Sequence, residues 1–187
     1  IVSGVAPSGK GVRTDGGVVV SGRWGFVSGV AHADWAELGV MMPDVERGEL
    51  AHHLCLVPAE NLCIEDTWHV MGLASTGSCH VTIKDVLVPN HRIITRNDQR
   101  SGTAPGTASH EDKIYATPYL TVPPAVLASV VVGAAEGALE EYINFTEVRQ
   151  QRNNPVAERE SMQLRIAESS VEIDIARMLL LRIAEQA

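Results

Sequence analysis

The chain has 187 residues, 45% of them hydrophobic and 20% charged, with a formal net charge of −8 at pH 7. That length suits one large domain or two small ones with a sizeable core, and the composition excludes an intrinsically disordered chain. The acidic balance, with no cluster of Lys and Arg, speaks against a nucleic-acid partner.

The first part reads as β. Val12–Thr14 and Gly17–Ser21 flank Asp15-Gly16, a hairpin turn signal. Short apolar runs continue at Phe26, Trp35–Met42 and His53–Val57, with Pro43-Asp44 and Arg47-Gly48 as punctuation between the last two. His80–Ile83 and Val86–Val88 supply the final strands, and the spacing predicts a small sandwich or barrel. Residues 100–112 (RSGTAPGTASHED) read as a mobile connection without structure of its own. From Pro124 the period changes. Leu127, Val131, Ala134, Ala138, Tyr142 and Phe145 recur at helical steps, and Asn153-Asn154-Pro155 ends or follows that helix. A second helix from about Glu158 places Leu164, Ala167, Val171, Ile175, Met178 and Leu179 on its expected inner face. These two helices can pair with each other, but Ile173, Leu180 and Leu181 widen the second stripe, so more helices are expected, from further sequence or a second subunit.

No run approaches the ~20 apolar residues that cross a bilayer, since Ala125 to Ala135 is interrupted by Ser129 and Gly133. No membrane association and no signal peptide are expected. The chain opens without Met in a strand-rich region and closes within a helical pattern, so it reads as a portion of a longer polypeptide. Three cysteines (Cys55, Cys63, Cys79) without CxxC spacing read as reduced, buried thiols of a cytoplasmic protein, and no metal site is expected.

Two blocks carry chemistry. In Arg23-Trp24-Gly25-Phe26-Val27-Ser28-Gly29, an aromatic two residues before a hydroxyl shares its strand face. Such a pair can pack a planar ring and hydrogen-bond its edge, or it can simply be core aromatics and a strand-end serine. In Asp66-Thr67-Trp68-His69 followed by Gly72-Leu73-Ala74-Ser75-Thr76-Gly77-Ser78, small residues let backbone approach a ligand, or merely turn into a strand. His32, His69 and His80 read as histidines satisfied by local hydrogen bonds and are not nominated. Arg149 and Arg152 suit the negative end of the first helix.

These two blocks, in this order and followed by helices, resemble the central β-domain of the acyl-CoA dehydrogenase superfamily. They are more similar to its flavin-dependent monooxygenase branch, the oxygenase components of two-component aromatic hydroxylases. The resemblance implies an α+β fold: a central antiparallel β-barrel or sandwich domain over residues 1–113, then part of a C-terminal helical bundle over 114–187. It implies Phe26 as the flavin-packing aromatic, Ser28 as the catalytic hydroxyl at flavin N5, and Trp68 as a cavity wall. Thr76 and Ser78 cap the site or shape the turn, and Arg149 reaches a flavin phosphate of a neighbouring subunit. Ala74 stands where relatives often have Arg, and Arg152-Asn153-Asn154 replaces the aromatic and Gly that dehydrogenases place after that arginine.

The implied activity is hydroxylation of a small aromatic or polyketide-like substrate through a C4a-hydroperoxyflavin. Reduced flavin (FMN or FAD) would come from a separate flavin reductase, and the enzyme would be a homo-oligomer, a tetramer. An acyl-CoA dehydrogenase is the alternative, but Thr121-Val122-Pro123-Pro124 offers no acid at one of the two base positions of that family. A non-enzymatic assembly module is the third reading.

Overall fold

The structure, a computed structural model, describes residues 1–44 and 48–186. Arg47 of the expected turn and Ala187 lie outside the described residues. The chain divides into two compact units, Ile1–Ser109 and His110–Ala187.

The first unit contains β1 (Val2–Thr14), β2 (Gly17–Val27), β3 (Trp35–Pro43), β4 (Leu50–Pro58), β5 (Cys63–Glu65), β6 (Cys79–Pro89), β7 (Ile93–Thr95) and the short helix α1 (Arg96–Ser101). The strands form one sheet in the order β5-β6-β2-β1-β3-β4-β7. The hairpin at Asp15-Gly16 pairs Thr14 with Gly17, as its turn signal requires. The expectation of an all-antiparallel barrel or sandwich is corrected in two respects. β1 and β3 run parallel, because the chain reverses between Val27 and Trp35 and lays β3 on the far side of β1. The strand order is also open, with β5 and β7 at its ends. Residues 100–112 are not structureless either. Thr95 caps α1 by accepting from the Asp98 N–H, Gly102 closes it at φ +71°, and Pro105–Ser109 forms a 3₁₀ turn.

One apolar core holds this unit together, built from Val18, Val20 and Trp24 of β2, Leu38, Val40 and Met42 of β3, Cys55 and Val57 of β4, and Val81, Ile83 and Val88 of β6. The Trp24 indole is fully buried and donates to the Gly39 carbonyl (2.8 Å). It lies between two glycines that have no room for a side chain: a Cβ on Gly9 would sit 2.3 Å from its ring, and one on Gly22 2.7 Å. Trp24 is therefore a core residue. The three thiols differ from the expectation of uniform burial: Cys55 is buried, Cys79 partly so, and Cys63 exposed. Burial pushes the Cys55 thiol up to about 12, which leaves it inert.

The second unit has two 27-residue helices, α2 (Val122–Val148) and α3 (Glu160–Gln186). Between them lies a tight hairpin, β8 (Gln150–Gln151) with β9 (Asn154–Pro155), turned by Arg152 and Asn153 at positive φ. The helices pack on each other by faces that only partly match those the periodicity picked out: Tyr142, Ile173 and Leu180 are half-buried as expected, and the Tyr142 hydroxyl reaches Met162 Sδ at 2.9 Å. Further half-buried positions include Ala128, Val132, Leu139 and Ile143 of α2 and Met162 and Ile166 of α3. Leu127, Val131 and Phe145, and Leu164, Val171, Ile175, Met178 and Leu179, are exposed. Each helix is apolar on more than one face, and pairing uses only one. Arg177 of α3 bridges Glu136 of α2 at 3.2 Å. The stretch Tyr119–Val148 is long and apolar enough to cross a membrane by length and composition, which corrects the reading of that run as too short.

Candidate functional site

The site is created by a defect in the β2–β6 ladder. Pairing runs from Trp24↔Val81 to Val27↔Cys79 with a register shift between them. One more residue separates the pairs on β2 than on β6, which is a β-bulge. Along β2 the core-facing residues are Val18, Val20 and Trp24, and strict alternation would send Phe26 and Ser28 inward as well. The bulge changes the parity. Val27 takes the core position, and Phe26 and Ser28 are thrown to the outer face. Phe26 adopts φ +59°, a conformation that costs a bulky side chain free energy, and its ring is 70% exposed. The hydrophobic core of this unit is built without Phe26.

Trp68 meets the Phe26 ring edge-on, with centroids 6.0 Å apart at 89°. The Trp68 indole N–H donates to the Leu73 carbonyl (3.1 Å). Leu73 sits at φ +57°, and the same carbonyl accepts from the Thr76 N–H (3.1 Å) and the Thr76 hydroxyl (2.9 Å). Thr76 Oγ1 is 2.8 Å from Ser78 Oγ, and Ser78 Oγ is 2.7 Å from Ser28 Oγ. The Gly29 N–H donates to the Thr76 carbonyl (2.7 Å), which clamps the two sequence blocks together.

The polarity of that hydroxyl chain follows from counting protons. Thr76 spends its only hydroxyl proton on the Leu73 carbonyl, which cannot donate. With the Thr76 proton on that carbonyl, Ser78 donates to Thr76 and Ser28 to Ser78; were the carbonyl served by the Trp68 and Thr76 N–H groups alone, the chain would run the other way. In the first arrangement the exposed Ser28 oxygen is left with lone pairs only.

A second feature was missed by sequence reading. Arg23 makes a two-nitrogen contact with Glu65 (Nη2–Oε2 2.7 Å, Nε–Oε1 3.0 Å), and Thr82 donates to the same carboxylate (2.6 Å). The Arg23 hydrogen bond, then that of Thr82, hold Glu65 down at about 2. Arg23 Nη2 also lies 2.6 Å from His80 Nδ1. A guanidinium only donates, so Nδ1 is the acceptor and the ring proton sits on Nε2. His80 stands edge-on to Phe26 with centroids 5.8 Å apart. Gly25 leaves room for the imidazole, since a Cβ there would come within 3.2 Å of Nε2. The signal available was Arg23 within the first block and Glu65 directly before the second, but only strand pairing brings them to His80.

The structure thus brings Phe26, Ser28, Trp68, Thr76 and Ser78 together. Ser78 is only 5% exposed and touches the surface through Ser28. Arg149 belongs to the helical unit, where it follows the last residue of α2 and sets its guanidinium 5.1 Å from the centre of the Phe145 ring. His69 is exposed and lies 3.6 Å from Asp66. Among the described residues, no group of three or more His, Cys, Asp or Glu could hold a metal ion.

Residues 125–187 match the family described as acyl-CoA dehydrogenase, C-terminal domain. The whole chain is 40% identical over 184 residues to the oxygenase component of the FADH(2)-dependent resorcinol hydroxylase of Rhizobium sp. strain MTP-10005, covering 95% of this chain and 45% of that protein. The chain belongs to the acyl-CoA dehydrogenase superfamily. Within it, the chain is similar to the flavin-dependent monooxygenase branch. The crystal structure of 3-HSA hydroxylase from Rhodococcus sp. RHA1 superposes with a TM-score of 0.85 at 35% identity, over 99% of this chain and 48% of that one. XiaF from Streptomyces sp., in complex with FADH2 and glycerol, superposes at 0.82 with 32% identity, over 97% and 46%. The chain spans about half the length of the relatives it matches. The first turn of α2 contains no acidic residue, so the early base position of the dehydrogenases is empty of a carboxylate.

Proposed function

We propose that the protein is the oxygenase component of a two-component flavin-dependent monooxygenase that hydroxylates a small aromatic or polyketide-like substrate. It takes reduced flavin, FMN or FAD, from a separate flavin reductase. The observation that carries this reading is the strained, exposed Phe26 with Trp68 at its edge and the exposed Ser28 hydroxyl beside it. A planar tricycle fits such a surface: an aromatic wall to pack on, and one acceptor for an N–H at its rim.

Reduced flavin, when bound, supplies the two electrons with which dioxygen is split between a hydroxylated product and water. The chain's own task is narrower. Phe26 and Trp68 pack against the ring and keep water from it, and Ser28 accepts the hydrogen at N5 and holds the proton there. Arg149, with its paired donors, contributes to binding a flavin phosphate across a subunit boundary. The exposed stripes on α2 and α3 serve assembly, into a larger helical bundle and a homo-oligomer, a tetramer. A groove of about 460 Å³ between the two helices, lined by Val122, Val126, Leu180 and Ile183 among others, has room for a further apolar element. The protein works in the cytoplasm, away from membranes and nucleic acid.

The test is Ser28→Ala in the full-length protein supplied with reduced flavin and substrate. Loss of one buried-site hydrogen bond, roughly 1–3 kcal/mol, corresponds to about ten- to hundredfold faster escape of the N5 proton. More of the consumed oxygen should appear as hydrogen peroxide and less as hydroxylated product. An unchanged ratio of product to peroxide would remove the assignment of Ser28. Arg149→Ala should weaken flavin affinity more than substrate affinity.

A further inference from the structure

The buried half of the hydroxyl chain has a use that the flavin reading alone does not require. We propose that Ser78 and Thr76 are positioning residues that make the site selective for reduced over oxidised flavin, by fixing the direction of the Ser28 proton. The inference rests on the placement of Ser28 at the flavin N5 edge.

The argument is one of hydrogen-bond polarity. Reduced flavin carries a hydrogen on N5; oxidised flavin has only a lone pair there. A free serine hydroxyl rotates to suit either, donating to one and accepting from the other. Ser28 is not free. Its proton is drawn inward to Ser78 (2.7 Å), because the Ser78 proton goes to Thr76 (2.8 Å) and the Thr76 proton to the Leu73 carbonyl (2.9 Å). Ser78 is 5% exposed, so no bulk water competes for its proton. Leu73 is held at φ +57° with its carbonyl turned to this chain and to Trp68. An acceptor-only Ser28 welcomes N5–H and opposes the bare N5 of the spent cofactor, so the same relay that holds reduced flavin favours release of the oxidised form.

Thr76→Val keeps the shape and removes the hydroxyl. The Leu73 carbonyl keeps the Trp68 indole and the residue-76 N–H as donors. The Ser78 proton then has Ser28 as its acceptor, and the Ser28 proton is free to turn outward. Ser78→Ala frees it directly. Thr76→Ser preserves the relay.

The experiment is anaerobic titration of the full-length protein and these variants with FMN and with FAD, each oxidised and reduced. The readout is the ratio of oxidised to reduced dissociation constants, with circular dichroism to verify folding. The ratio should fall about tenfold in Thr76→Val and Ser78→Ala, mainly through tighter binding of oxidised flavin, as one gained hydrogen bond of that size implies. Thr76→Ser should keep the parent ratio. Ser28→Ala should also lower the ratio, but through weaker binding of reduced flavin. If Ser28→Ala lowers it while Thr76→Val and Ser78→Ala leave it alone, the relay is overturned and the flavin reading stands. If Ser28→Ala itself changes nothing, Ser28 is not at N5 and both fail. Thr76→Val is isosteric at a half-buried turn position, so the test survives should the Ser78 variant misfold.

Discussion

Valine has opposite fates in the two units of this chain. In the β-unit, Val18, Val20, Val40, Val57 and Val81 are completely buried; in the helical unit Val126, Val130, Val131 and Val171 are more than half exposed. The residue type is the same, and so is its transfer free energy, worth about 1.5–3 kcal/mol for a full burial. The difference is architectural. A sheet whose strands alternate in and out gathers one face of its central strands into a shared core. Two antiparallel helices can bury only the stripe along which they touch, and these helices are apolar over a wider arc than one contact covers. The β-unit completes its own core, whereas the helical unit leaves broad apolar surface exposed.

Mutations should separate the two. The largest effect belongs to Trp24→Ala, which empties the slot between Gly9 and Gly22 and leaves the Gly39 carbonyl without its donor. It should cost about 3–5 kcal/mol in denaturant unfolding. A loss below about 1 kcal/mol would show that the sheet's core is not organised around this indole. On α2, Val131→Glu should leave protomer stability within about 0.5 kcal/mol. It should nevertheless weaken self-association by tenfold or more, since a buried valine contributes about 1.5–3 kcal/mol. Sedimentation velocity against protein concentration reads this directly, and unaltered association would mean that the stripe faces something other than a second copy.

Phe26→Gly probes a place where the β-unit exposes apolar surface at a conformational cost, as it also does at Leu73. Glycine relieves the positive φ and removes a ring that is mostly exposed, so stability should stay within about 1 kcal/mol of the parent or rise. Affinity for reduced flavin should meanwhile fall about tenfold or more through loss of ring packing. A destabilised variant with parent-like affinity would make Phe26 a packing residue after all. The smallest effect is expected at Glu65→Gln. The Glu65 carboxyl is held below its ordinary 4.5, at about 2. A group depressed in the folded state stabilises above its unfolded value and loses that contribution as pH falls through its folded value. The stability gap between parent and variant should therefore be constant above about pH 4.5 and close as pH approaches about 2. Because the pair is solvent-exposed the gap itself should be small, and a gap independent of pH would mean that Arg23 does not hold this carboxylate.

Much of the site was readable from residue order, because the two blocks that form it are contiguous stretches with motif spacing. Phe26 and Ser28 could be placed on one face by counting, and Asp15-Gly16 marked its hairpin by turn chemistry alone. Helix positions were legible for the same local reason, from periods of three and four. What counting could not supply was parity after a bulge: alternation from Trp24 predicts that Phe26 points the same way, and only the β2–β6 register shows that it does not. Nor could it supply the inner faces of α2 and α3, since Leu127 and Val132 are equally apolar and the choice between them depends on where the partner helix lies. The Arg23–Glu65–His80 contact joins three strands that are distant in sequence. The Ser28 hydroxyl meets Ser78 fifty positions away, and through Thr76 the chain ends on the Leu73 carbonyl. Local pattern determined which elements form and which residue types could meet a flavin. Strand register, helix pairing and hydrogen-bond polarity decided how they meet, because each is a property of groups brought together through space and carries no signature in any single segment.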